Sequence, residues 1–185
     1  MTAAGPEANV LGALSLVITD LTAQAVAAAA GQSVSAAAAL SALHQFLDRP
    51  TLDQLRRVLG LTPSGAVRLV DRLADSGLVE RGPGGDRRSR SVVLTEAGRR
   101  AAERIAAARA DLLAGVLAEL SPGDRQDLHD LLGRIMSNVV RAKEGGAWIC
   151  RLCDLDACGR PSGKCPAATA AAAKYGTQLR PGSSA

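Results

Sequence analysis

From Val10 to Ala30 the apolar positions Leu11, Leu14, Ile18, Leu21, Ala25 and Ala28 recur at alternating spacings of three and four, which predicts a helix with one apolar seam. Gly31 supplies a C-terminal stop, and Ser33 or Ser35 can cap a second helix that carries Leu40, Leu43 and Leu47 and is ended by Pro50. A short helix follows from Leu52 to Leu59, with Leu52, Leu55, Val58 and Leu59 inward and Arg56 and Arg57 outward. In Gly60-Leu61-Thr62-Pro63, glycine permits a turn, Thr62 can accept from the orphan amides as N-cap, and Pro63 suits the first helical position. The helix so announced runs from Pro63 to Asp75, turning Ala66, Val70, Leu73 and Ala74 inward and Ser64, Gly65, Arg68 and Arg72 outward, and Gly77 ends it.

The period then changes. Leu78 to Arg81 and Arg90 to Thr95 read as strands, joined by the glycine- and arginine-rich stretch Gly82 to Ser89, which predicts a hairpin with a basic tip. Thr95 can cap a long helix reaching Leu120, striped with Ile105, Ala108, Leu112, Val116 and Leu120. Ser121-Pro122 restarts a helix by the same logic, with Leu128, Leu131, Leu132, Ile135, Val139 and Val140 as its stripe. Gly145-Gly146 breaks it, Ala167 to Ala173 reads as a further turn or more of helix, and residues 176–185 read as a disordered tail.

Composition sharpens this into a fold class. The 185 residues allow one domain, or one plus an appendage, and the aromatics are only Phe46, Trp148 and Tyr175. A core of Leu, Val, Ile and Ala argues for a mainly α (α+β) protein. Charge changes the picture more. Residues 81–100 hold six arginines against Asp86 and Glu96, an excess equal to the +4 of the whole chain. So local a patch of arginine suits a polyanion, nucleic acid first, and a solvated basic loop is the plain alternative.

Two helices joined by a tight turn and followed by a basic hairpin compose a winged helix-turn-helix. A helix fits the major groove, and arginines on a hairpin can reach phosphates or the adjoining minor groove. Base reading falls to the N-terminal turn of Pro63–Asp75, through Thr62, Ser64, Gly65 and Arg68, while Arg87, Arg88 and Arg90 add charge on the wing. Arg72 is better explained by a surface ion pair with Asp71 or Asp75. At this point the chain resembles the multiple-antibiotic-resistance regulator (MarR) family of bacterial transcription factors. The resemblance rests on Leu61 to Leu73, on Gly77-Leu78-Val79-Glu80-Arg81, on Asp86-Arg87-Arg88 and on Leu94-Thr95-Glu96-Ala97-Gly98, and spans about residues 8 to 142. It implies that Arg88 enters the minor groove, that Asp86 orders the wing, and that Arg68 is the recognition-helix arginine. It implies a homodimer with intertwined terminal helices, repression as the commoner mode, and double-stranded DNA as partner. The apolar stripes of both terminal helices, too large for one small winged domain to cover, point to the same dimer. The division expected is 8–32 for an N-terminal dimerisation helix, 33–98 for the winged domain, 99–144 for C-terminal dimerisation helices and 147–166 for a cysteine-rich segment. A small-molecule effector stays open, since few aromatics are available to stack one.

Cys150, Cys153, Cys158 and Cys165 depart from the usual family pattern. Four thiols so close can encircle a tetrahedral Zn²⁺ or a cysteine-ligated iron-sulfur cluster; reversible disulfides and four independent thiols are the alternatives. Trp148 is expected to anchor the segment to the dimer helices. Arg151, Asp154, Asp156, Arg160 and Lys164 around it are mixed in sign and select no metal. His44 and His129 lie on separate helices, and neither a phosphate-binding glycine loop nor a nucleophile elbow is present, so an enzyme is not expected. A redox carrier using the cysteines, or a protein-binding adaptor, is the alternative to a regulator that senses redox or metal state. Thr19, Asp20, Thr22 and Gln24 interrupt the first apolar stretch, and the reading is a cytoplasmic chain without a membrane segment.

Overall fold

The structure, a computed structural model, describes residues 5–83, 90–142 and 147–175. It is mainly helical with one antiparallel hairpin: α1 (Pro6–Ala30), α2 (Val34–Gln45), α3 (Leu52–Leu59), α4 (Pro63–Asp75), β1 (Val79–Pro83), β2 (Arg90–Leu94), α5 (Glu96–Val116), α6 (Pro122–Ala142) and α7 (Pro166–Tyr175), with a 3-10 turn at Ala147–Cys150.

Local chemistry sets most boundaries. Ser33 caps α2 by accepting from the Ala36 amide at 3.3 Å, which selects it over Ser35. Thr51 and Gln54 form a reciprocal capping box at α3, and Thr62 and Thr95 accept from the amides of Gly65 and Gly98. In the register of the hairpin Val79 faces Leu94 and Arg81 faces Val92. Pro50 and Thr51 extend the sheet from its other edge, since the Val92 amide donates to the Pro50 carbonyl at 2.9 Å and Thr51 bridges Ser91.

Several expectations need correction. α1 begins at Pro6, whose ring suits the first turn, and not at Val10. α2 ends at Gln45, so Leu47 packs on the core from outside the helix, and Pro50 is a strand-edge residue instead of a helix stop. α5 ends at Val116, not Leu120: the chain tightens through bonds from Ala118 to the Gly115 carbonyl and from Leu120 to the Leu117 carbonyl, and the Arg125 guanidinium holds both the Leu117 and Leu120 carbonyls. Inside α4, Leu69 is buried and Ala74 only half-buried. Gly145-Gly146 and the 176–185 tail lie outside the described residues.

The main core unites Val26 of α1, the alanines and Leu40 of α2, Leu55 of α3, Leu69, Val70 and Leu73 of α4, the hairpin, and Ala101, Ala102 and Ile105 of α5. A smaller cluster joins Val140 of α6 to Cys165, Ala167 and Ala170, with Ile149 and Cys158 against it. α1 is long and apolar enough, by length and composition alone, to cross a membrane, which the interrupting polar residues had argued against. Its C-terminal half nevertheless belongs to the folded domain. Val26 is fully buried, and Arg104 of α5 donates to the Ala29 carbonyl at 3.1 Å, closing the last turn of α1 onto α5.

α5 is fastened to the end of the helix-turn-helix at one point. The Thr95 hydroxyl donates to the Gly77 carbonyl at 2.7 Å and the Thr95 amide to the Leu78 carbonyl at 3.1 Å, while a Cβ on Gly98 would stand 1.9 Å from that Leu78 oxygen. Backbone blocks that methyl, so Gly98→Ala is expected to cost about 1–3 kcal/mol, read from the urea midpoint at unchanged slope. An unchanged midpoint would show that α5 can slide away from Leu78 at no cost.

Candidate nucleic-acid interface and cysteine cluster

α3 and α4 are joined by a turn that sequence alone largely dictates. Gly60 ends α3 in the left-handed region (φ 68°), its amide and that of Leu61 both return to the Arg56 carbonyl, and Thr62 opens α4 immediately afterwards. Buried Ala66, Leu69, Val70 and Leu73 root α4 in the core, which leaves the opposite face outward. Thr62, Ser64 and Arg68 are exposed on that face and Gly65 is half-buried beside the Thr62 hydroxyl, so the four residues expected to read bases share one surface. Among the described residues the Arg68 guanidinium has no ion-pair partner. That leaves its donors available to a ligand.

Arg72 does not pair with Asp71 or Asp75 as expected. Its Nε donates to the Arg68 carbonyl at 3.2 Å, and Asp71 is taken by Arg81 of β1. Sequence reasoning missed the Arg81–Asp71 pair because its members stand ten positions apart on different elements. Both are substantially exposed, so the pair adds little stability. What it does is fix the root of the hairpin to the outward helix. Asp86, Arg87 and Arg88 lie outside the described residues, and Arg90 is placed only as the first residue of β2.

The cysteine segment is an ordered knot of turns. Cys150 closes the 3-10 turn, which lies against α3, and its carbonyl accepts from the Cys153 amide at 3.0 Å. The Asp154 carboxylate accepts from the amides of Asp156 and Ala157, and Gly159 (φ 66°) reverses the chain directly after Cys158. Cys165 stands just before Pro166 at the start of α7. All four thiols are free, with Cys150 and Cys165 buried and Cys153 and Cys158 partly so. Each acts electrostatically on the other three, and Cys158, whose thiol donates to the Leu155 carbonyl at 3.4 Å, packs against the cluster that buries Cys165.

Burial pushes the Cys150, Cys153 and Cys158 thiols above their ordinary range. Cations and an amide pull back. The Arg160 guanidinium donates to the Cys150 sulfur at 3.3 Å, Arg109 of α5 acts on Cys153, and the Arg160 amide, which donates to the Leu155 carbonyl, draws the nearby Cys158 thiol down. Of the charges of mixed sign that flank the cysteines, Arg160 turns onto a thiol. Among the described residues no three His, Cys, Asp or Glu side chains are already arranged to hold a metal ion. The Trp148 side chain lies outside what is described.

Residues 33–89 match the family model described as MarR family. The fold is that of solved structures over most of their length. RV1404 from Mycobacterium tuberculosis is 23% identical with a TM-score of 0.61, covering 73% of this chain and 94% of its own. A MarR-family transcriptional regulator from Rhodococcus sp. RHA1 is 21% identical with a TM-score of 0.58, covering 72% and 96%. CouR from Rhodococcus jostii RHA1, solved bound to p-coumaroyl-CoA, is 24% identical with a TM-score of 0.56, covering 68% and 88%. No curated protein matches the chain in sequence.

The cap of α4 supplies a direct check. Thr62→Ala should cost about 1 kcal/mol and speed amide exchange in the first turn of α4, whereas Thr62→Ser should restore both. Equal exchange in all three proteins would show that the turn is held by packing instead of by the hydroxyl.

Proposed function

Through residues 33–89 the chain belongs to the MarR family, and on that premise we propose that it is a sequence-specific, DNA-binding transcriptional regulator, a homodimer acting as a repressor in the cytoplasm. One observation carries the reading: an outward α4 face with Thr62, Ser64 and Arg68, the last without an ion-pair partner among the described residues, beside a hairpin whose root is tied to that helix by Arg81–Asp71. The α4 N-terminus brings the positive end of the helix dipole and the Thr62 and Ser64 hydroxyls toward a phosphate backbone. Arg68, farther along, reaches base edges. The family resemblance assigns the neighbouring groove to the hairpin arginines, Arg88 foremost, which would supply charge without reading sequence. Pinning the hairpin root to α4 makes the two contacts one rigid unit, so a register set by phosphates also sets which bases Arg68 meets.

A second copy completes the site. Val10, Leu14, Leu16 and Val17 of α1 are exposed, Leu16 at 69%, as are Leu131, Ile135 and Val139 of α6. Such apolar faces on both terminal helices of one chain favour burial against the same faces of a partner. Two α4 helices then meet a pseudo-palindrome with half-sites about 10 bp apart. CouR was solved with p-coumaroyl-CoA; the present chain has three aromatic residues with which to stack such a ligand, and an effector of that type is not part of the proposal.

The proposal is tested on a duplex selected by the protein from a random-sequence library. Arg68→Ala is expected to relax base preference and weaken binding, whereas Arg88→Ala should weaken binding to all sequences alike and lower the salt slope by about one. Unchanged affinity in both variants would sink the assignment. For the dimer, Leu14→Glu combined with Ile135→Glu should give a monomer by sedimentation that has lost operator affinity. A double variant that sediments as wild type would place the interface elsewhere.

A further inference from the structure

We propose that the groove between α6 and the start of α7 is a binding site for a small phosphorylated polyol such as a sugar phosphate. The groove has a volume of about 670 Å³, within the range that holds a small organic ligand. It lies outside residues 33–89, and its lining is unlike that of a pocket for an aromatic effector, since most of it is charged or hydrogen-bonding. Besides His129, the charged groups are the cations Arg134, Arg141 and Lys164 against the carboxylate of Asp130, so the groove favours an anion.

α7 is fixed to α6 at both ends. Pro166 packs over Gly133, and the Ser137 hydroxyl reaches the Pro166 carbonyl at 3.4 Å. At the far end the Lys174 ammonium donates to the Arg141 carbonyl at 2.8 Å. Between these ties Val140, Cys165, Ala167 and Ala170 are buried against one another. A ligand therefore meets walls that are already held in place, and little backbone has to be ordered around it.

The lining divides into donors and acceptors. Arg134 and Lys164 are exposed, and their side chains have no ion-pair or hydrogen-bond partner among the described residues. Arg141 donates to the Asn138 side-chain carbonyl, which leaves the Asn138 amide nitrogen as a further donor. A guanidinium and an ammonium brought from two separate elements suit the several oxygens of one phosphate. Ser137 and Thr169 work the other way. Their hydroxyl protons are engaged by the Gly133 and Cys165 carbonyls at 2.9 and 3.0 Å, so each presents lone pairs to a ligand. Asp130 accepts from Gln126 through one oxygen and keeps the other. Such acceptors want hydroxyl donors, and a phosphate carried on a polyol satisfies both sets.

Along α6 the groove residues Asp130, Gly133, Ser137 and Arg141 recur at three and four, while the exposed Leu131, Ile135 and Val139 fall on the opposite side. Covering the apolar side with a second copy leaves the groove accessible. Its occupation bears on a helix of the proposed dimer, so any effect on operator affinity rests on the DNA-binding reading.

Calorimetric titration of the full-length protein at constant ionic strength compares glucose 6-phosphate, inorganic phosphate and glucose. Saturable binding of one glucose 6-phosphate per chain is expected, about tenfold tighter than inorganic phosphate, with no binding of glucose. Arg134→Gln and Lys164→Gln, which alter exposed side chains and should leave the thermal midpoint unchanged, are each expected to weaken it about tenfold. Thr169→Val should erase the preference over inorganic phosphate. Equal binding of the two phosphates by the wild-type chain would overturn the polyol, and saturable binding of neither would overturn the site. Affinity that survives both glutamine substitutions would place the ligand elsewhere. Should both variants lose affinity for the selected duplex while the wild-type chain binds no sugar phosphate, the groove is a contact for the DNA backbone and the small ligand falls. Sugar phosphate binding by a chain that selects no duplex would count against the DNA-binding reading alone.

Discussion

The aim of α4 depends on the contact between Gly98 and the Leu78 carbonyl. Thr95 bonds Gly77 and Leu78 with its hydroxyl and its amide, and the missing side chain at Gly98 lets α5 lie on the same backbone. The turn that ends α4 and the turn that starts α5 are therefore one object. Because α5 also grips α1 through Arg104 and the Ala29 carbonyl, the end of α4 is referenced to α1, a helix that carries an exposed apolar face. A displacement of α1 is thereby passed through α5 to the turn that ends α4.

Stability and geometry are divided between different interactions. The buried alanines of α2 and the aliphatic side chains of α4 and α5 hold the domain by area removed from water. Arg81–Asp71, Arg56–Asp53 and the Glu96 pairs with Arg99 and Arg100 are exposed and contribute little to it. Of these, Arg81–Asp71 alone joins two separate elements. Its value is positional: two rigid pieces that could hinge about Gly77 move together.

Much of this was legible in the residues. Thr62-Pro63 and Asp75 fix α4 as read, and Leu52 and Leu59 fix α3, because caps and prolines act within one turn of chain. The Thr51-x-x-Gln54 box was equally readable and was passed over. Errors arose where apolar spacing continued past the end of a helix. Leu47 and Leu120 keep the period yet lie outside α2 and α5, the first because it fills the core from a loop, the second because Arg125, five positions on, captures the carbonyls of a tightened turn. Contacts between distant polar residues left no local signal: nothing in spacing pairs Arg81 with Asp71, sends the Val92 amide to Pro50, or turns Arg160 onto Cys150. The four cysteines are close in sequence, but the turn at Gly159 after Cys158 and the docking of α7 on α6 that buries Cys165 are not specified by their spacing.

The exposed apolar face of α1 has a cost during synthesis. α1 ends at Ala30, and the helix it chiefly packs on, α5, is complete only at Val116. At translation rates of about 5–20 residues per second, a long apolar helix waits roughly 4–17 s outside the ribosome before its intrachain partner exists. Through that interval it has the length and composition that membrane-targeting factors and chaperones bind. Until then the apolar face of α1 has to be shielded by something other than its own α5.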